Sequence, residues 1–194
     1  MLKNNQTGRS MIEMLGVLAI IGVLSIGGIA GYSKAMNKYR VNKTADQISQ
    51  LAQNIRTLYA SQKNYRTLSE TVIKKAHLAP EEMYETTDSV SFVDPYGNYV
   101  NIGSSGKISN DDGKAFSIAL YGLPQEACIE LMTLDWGQGA SSGLIGYGKD
   151  HWSAYYGCTG NSGYTCSGDG VMPVDKAISM CAGSNGNYIG WKFY

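Results

Sequence analysis

Proline is scarce and late in this chain: there are four among 194 residues and none before Pro80, so nothing in the first 79 residues is barred from a helix. Histidine is scarcer still, limited to His77 and His151. His77 falls on an expected helix and His151 among Tyr, Trp and Asp residues in an expected loop, settings that favour an exposed structural role over general-base catalysis. No nucleophile-base pair, phosphate loop or cofactor fingerprint stands out, so neither an enzyme nor a cofactor is expected. Excess charge is lacking as well. Lys plus Arg and Asp plus Glu number 16 each, so no global field draws a polyanion and no nucleic-acid partner is expected. The cysteines stop at four, Cys128, Cys158, Cys166 and Cys181, without a C-x-x-C pair. Their spacings fit no zinc pattern even with His151 added. Asp111-Asp112-Gly113 and Asp169-Gly170 read as turns rather than calcium ligands, so no metal is expected.

What is present points outward. With 24 glycines, 14 tyrosines and only 16% charged residues, the surface suits packing against neighbours. A 43% apolar content supplies a core for one domain plus an appendage. The appendage is visible in Gly8 to Tyr32, GRSMIEMLGVLAIIGVLSIGGIAGY. Met14 to Tyr32 is 19 residues without a charge, and as a helix it spans roughly the 30 Å hydrocarbon core of a bilayer. The run is long for a secretory signal peptide, and Ala30-Gly31-Tyr32 is a poor cleavage site. An uncleaved single-span anchor is one reading. The apolar pattern then continues through Tyr32, Met36, Tyr39, Ala45, Ile48, Leu51, Ala52, Ile55, Leu58 and Tyr59 at three- and four-residue steps, which predicts one helix from about Ser10 to Gln62, amphipathic in its second half.

Orientation draws on two signals. Lys34, Lys38, Arg40 and Lys43 closely follow the span and by the positive-inside count favour a cytoplasmic C-terminal part. Four cysteines in a loop-rich region favour disulfides and an oxidising compartment. The basic residues have another use on a long helix, so the second signal is followed.

Beyond the helix, Thr67 to Ala79 predicts a second helix closed by Pro80. Val90 to Val93 and Tyr99 to Ile102 read as strands joined by the turn Asp94-Pro95-Tyr96-Gly97. Phe116 to Tyr121 is a further strand, and Pro124 opens a short helix through about Leu134. Gly137 to Gly170 reads mainly as loops with short strands. Its aromatic residues, with the neighbouring Trp136, are candidates for subunit contacts or surface recognition: Trp136, Trp152, Tyr155, Tyr156 and Tyr164. Pro173 opens a last helix ending near Cys181, and Tyr188 to Tyr194 alternates as a terminal strand.

The lone carboxylate of the apolar run, Glu13, is the most informative residue. Ser10-x-x-Glu13 fits a capping box. A charge at the edge of a bilayer is costly without a partner, so it also marks a functional site. Gly8, a polar Ser10, Met11-Ile12, Glu13 five residues beyond the glycine and the segment MLGVLAIIGVLS together resemble the type IV prepilin signature. FSIALYGLPQEACIELMTL and PVDKAISMCAGSNGNYIGWKFY are similar to the type IVb pilins.

The resemblance implies an α+β type IV pilin fold, a long N-terminal helix with a membrane-spanning first half packed on a C-terminal antiparallel sheet. It implies a leader at 1–8, a filament-core half at 9–32, an amphipathic half at 33–64 and a globular domain at 65–194. A prepilin peptidase would cut between Gly8 and Arg9 and the new terminus would be methylated, although Arg9 stands where the family usually has Phe or Met. The cysteines allow three pairings; the resemblance implies Cys128 with Cys181, which leaves Cys158 with Cys166. The implied function is polymerisation into a pilus for adhesion, aggregation or motility. The implied partners are other copies, the peptidase, inner-membrane assembly machinery and, before assembly, lipid. The precursor would sit in a bacterial inner membrane with its C-terminal domain outside the cytoplasm, and the product in an extracellular pilus. A minor pilin or secretion pseudopilin shares these features, and a monomeric membrane-anchored binding module or enzyme is the alternative of another class. Mass spectrometry of the mature protein is expected to find a chain starting at Arg9; an intact Met1 to Gly8 segment would favour the plain anchor.

Overall fold

The computed structural model describes residues 11–62, 64–85, 91–105, 113–137, 143–149, 164–166, 171–184 and 186–194. By internal contacts the chain divides into a unit up to Tyr39 and a compact unit from Arg40 to Tyr194. Helix α1, Met11–Tyr59, runs through both. With no proline to interrupt it, helix formation follows the apolar pattern, and only the final turn, expected to reach Gln62, relaxes into turn bonds such as Gln62 N–H to the Tyr59 carbonyl at 2.8 Å. In the second unit, Val41, Ile48, Leu51, Ala52, Ile55 and Tyr59 form its buried stripe, as three- and four-residue spacing requires.

Helix α2, Glu70–Lys75, is shorter than the expected 67–79. The Ser69 hydroxyl accepts from Val72 N–H at its start. His77, at φ 49°, reverses the chain just past its end. Leu78 and Ala79 are buried by that reversal rather than by helical periodicity. Pro80 then leads a single 3-10 turn, Glu81–Met83.

Among the described residues, six antiparallel strands form one sheet: β1 Phe92–Val93, β2 Tyr99–Ser105, β3 Ala115–Leu123, β4 Leu144–Gly148, β5 Tyr164–Cys166 and β6 Asn187–Phe193. Their spatial order is β1-β2-β3-β6-β4-β5. The last strand in sequence therefore lies inside the sheet. Its register sets Phe193 opposite Phe116, Trp191 opposite Ile118 and Ile189 opposite Leu120. Side chains two apart share a face, and these six join the α1 stripe in one core. Helices α3, Gln125–Met132, and α4, Val174–Met180, each follow a proline, Pro124 and Pro173, the residue whose fixed φ and absent amide suit a helix start.

Three local devices brace this sheet. At β6, the buried Asn187 donates through Nδ2 to the carbonyls of Leu123 and Gly183 at 3.1 and 2.7 Å. Just before it, a disulfide joins Cys128 of α3 to Cys181, which ends α4, with a Cα separation of 5.9 Å; both residues are fully buried. In the β1–β2 turn, Asp94 Oδ1 accepts from the amides of Tyr96 and Asn98 at 2.9 and 2.8 Å. Its other oxygen, Oδ2, is buried without a hydrogen-bond partner. Burial therefore raises the Asp94 carboxyl above its ordinary value, against the lowering effect of those amides.

The raised value means that the folded state holds the proton more tightly, so stability falls as pH rises from about 4 through the folded pKa. Asp94→Asn should remove this dependence, unfolding at the same temperature as wild type near pH 4 and at a higher one at pH 7 in thermal melts. Replacing Cys128 and Cys181 together by Ala should cost on the order of 4 kcal/mol in urea unfolding, the chain-entropy value for a loop of this size.

Candidate assembly site

Every residue of α1 from Met11 to Tyr32 is exposed in the subunit. Ile12, Val23, Leu24 and Ile26 show between 69 and 76% of their surface, an arrangement water does not tolerate over such a length. Each such side chain gains about 1.5–3 kcal/mol when buried, so this half-helix demands a bilayer or other copies of itself. Its glycines point the same way. A Cβ at Gly27 or Gly31 would meet nothing within 4 Å, so no contact inside the subunit requires them to be small. Small residues four apart do permit another helix to approach closely.

Glu13 lies in the first turn of α1, exposed among these apolar residues. The next cation along the helix is Lys34, far beyond reach. A carboxylate in apolar surroundings needs a positive partner, and the described part of its own helix half offers none. Gly8 and Arg9, the expected cleavage pair, lie outside the described residues.

The remaining candidates fall in different places. Cys128 and Cys181 are bonded to each other. Cys166 ends β5, but Cys158 lies outside the described residues, as do Trp152, Tyr155 and Tyr156. Tyr164 opens β5 opposite Gly148. Trp136 is half-buried: its Nε1 donates to the Leu131 carbonyl at 2.9 Å, and its ring meets Trp191 edge-on at 4.9 Å. Part of this aromatic therefore serves the core, and its remaining edge lines a groove of about 510 Å³ with Leu134, Asp135 and the α1 residues Asn42, Ala45, Asp46 and Ser49. Sequence reading missed this groove. Its one-dimensional trace is the run Asn42, Ala45, Asp46 and Ser49 at three- and four-residue steps along the flank of the apolar stripe, with Ala45 shared between the two.

A second feature unread from sequence is the Arg40 guanidinium, 5.6 Å from the centre of the Tyr96 ring. Burial pushes the Tyr96 hydroxyl up to about 12, with Arg40 acting in the opposite direction. Among the described residues no group of His, Cys, Asp and Glu is arranged to hold a metal ion.

Comparisons with known proteins agree with this arrangement. Residues 33–185 match the Bundlin family. The chain is 26% identical over 148 residues, 76% of its length and 72% of the relative's, to the major structural subunit of bundle-forming pilus from Escherichia coli O127:H6 (strain E2348/69 / EPEC). The same figures hold for the corresponding subunit from Escherichia coli O111:H-. In three dimensions it resembles the type IV b pilin from Salmonella typhi, with a TM-score of 0.53 and 17% identity over 79% of this chain and 98% of that one. It likewise resembles TcpA, a type IV pilin from Vibrio cholerae El Tor biotype, with a TM-score of 0.54 and 15% identity over 80% and 99%. With most of its length matched, from the amphipathic half of α1 to just before β6, this chain belongs to the Bundlin family and carries the type IV pilin fold.

Proposed function

We propose that this protein is the structural subunit of a type IVb pilus, cut after Gly8 by a prepilin peptidase and polymerised outside the inner membrane. The carrying observation is the uncovered apolar half of α1 with Glu13 as its single charge. Cleavage would create an α-amino group at Arg9 with an ordinary pKa near 7.7 to 8.0, cationic at neutral pH. When helices stack with an axial offset, that amine of one copy neutralises Glu13 of the next. Inside an apolar bundle an unpaired charge is costly and a paired one selects a register, so one carboxylate sets the stagger of the filament.

Support for a major rather than a minor subunit comes from the two relatives, both named major structural subunits of a pilus. The role is structural rather than catalytic: the subunit contributes surfaces, and inner-membrane machinery contributes the work of assembly. Adhesion, aggregation or motility are the activities such a fibre would serve, with the glycine- and tyrosine-rich region from 137 to 170 as its recognition surface. Before assembly the same apolar half-helix would hold the precursor in the inner membrane.

Glu13→Ala should leave the protein membrane-bound and cleaved while lowering the yield of sheared filaments by about a hundredfold, the effect of leaving a buried charge unpaired. Filaments at wild-type yield from this variant would reject Glu13 as the register-setting contact.

A further inference from the structure

The groove beside Trp136 has no part in the contact between Glu13 and the terminal amine. One wall comes from α1 through Ala45, Asp46 and Ser49, the other from the segment after α3 through Leu134, Asp135 and Trp136. Each wall brings one carboxylate, and no lysine or arginine lines the space. Trp136 is fixed by its bond to the Leu131 carbonyl and its packing on Trp191, so the site exists before anything enters it. An indole beside two carboxylates suits an ammonium group, which gains both charge pairing and attraction to the ring.

The same chain carries the complementary group. Lys34 and Lys38 are exposed and four residues apart, and helical periodicity puts them on the stripe of α1 that continues through Asn42 to Asp46 and Ser49. This stripe is basic at one end and acidic at the other. Parallel copies in register would set like charges side by side, whereas parallel copies offset along the axis set the basic end of one against the acidic end of the next, the head-to-tail contact that generates open filaments.

The stagger proposed above, which this inference rests on, determines which lysine meets which carboxylate. If the Arg9 amine of one copy lies level with Glu13 of the next, the second copy is displaced by four residues. Its Asp46 then lies level with Asn42 of the first, four residues or about 6 Å beyond Lys38, a distance a lysine side chain spans. In the same stagger the reverse pairing, Lys38 of the second copy with Asp46 of the first, is twelve residues or about 18 Å apart and out of reach, so each pair of neighbours makes the contact once. We propose that the groove is an intersubunit socket, which receives Lys38 of a neighbouring copy between Asp46 and Asp135 against Trp136.

Treating sheared wild-type filaments with a zero-length carbodiimide, which joins an amine to a carboxylate only where they touch, tests this directly. Covalent multimers on a denaturing gel are expected, yielding a linked peptide that contains Lys38 with Asp46 or Asp135. Lys38→Glu should lower filament yield by about tenfold, and adding Asp46→Lys should restore a large part of it; retention of the Cys128–Cys181 disulfide in the membrane fraction establishes that both variants fold. Multimers linked only through other residues, or a double variant no better than the single, overturn the proposal. Wild-type filaments without the Lys38 link reject the socket and leave the pilin reading standing, whereas failure of the wild-type protein to form filaments rejects both.

Discussion

Everything in this subunit is arranged around apolar surface that the subunit itself cannot cover. The first half of α1 is apolar on every side, so it is soluble only in lipid or among its own copies. The second half buries one stripe in the core and leaves the rest of its circumference mainly to polar side chains, with Leu58, expected in the stripe, exposed at its edge. One helix thus meets two environments, and the change falls close to the border between the two compact units. The apolar effect supplies strength without direction. Direction has to come from the few charges present, which is why Glu13 among isoleucines and leucines carries more information than any exposed carboxylate on the globular unit.

Within the globular unit, the second half of α1 is packed against a braced core. Cys128–Cys181 joins two short helices that could not hold a fixed position alone, since helices of this length are marginal in isolation. Asn187 pins the entry of β6 to the end of β3, and the aromatic cluster of Trp136, Tyr147 and Trp191 closes the side of the core near β4. Tyr147 adds a polar tie, its hydroxyl accepting from the Met172 amide at 3.1 Å. Covalent, polar and aromatic contacts therefore converge on the segments around β6.

The legible parts were those whose physics is local. Helix α1 followed from the absence of proline and the three- and four-residue spacing of its apolar residues, and α3 and α4 from Pro124 and Pro173. Strand β6 followed from the alternation of Tyr188 to Tyr194. Helix α2 ends earlier than its sequence suggests, because Leu78 and Ala79, apolar and buried, mimic a helical stripe while lying beyond the reversal at His77. Strand β4, Leu144–Gly148, was not singled out from its glycine-rich surroundings, because five buried residues in a row show no alternation. The strand order depends on pairings far apart in sequence, and the groove forms only when the segment after α3 folds against α1; neither leaves a local signature. The Cys128–Cys181 bond came from likeness to a family, since four cysteines alone permit three arrangements.

The interior position of β6 also imposes an order of events on the living cell. Until Asn187–Phe193 emerges, β3 and β4 each present a bare row of backbone donors and acceptors where β6 will lie, and exposed edges of this kind pair readily with other chains. The membrane-seeking helix, by contrast, is made first. An unfinished chain of this fold therefore already carries its uncovered apolar half-helix while its sheet is still open. A chain broken off before Asn187 would keep both edges permanently bare, making it a seed for misassembly and an object for proteolytic clearance. Synthesis of β6 thus closes two edges of the sheet at once.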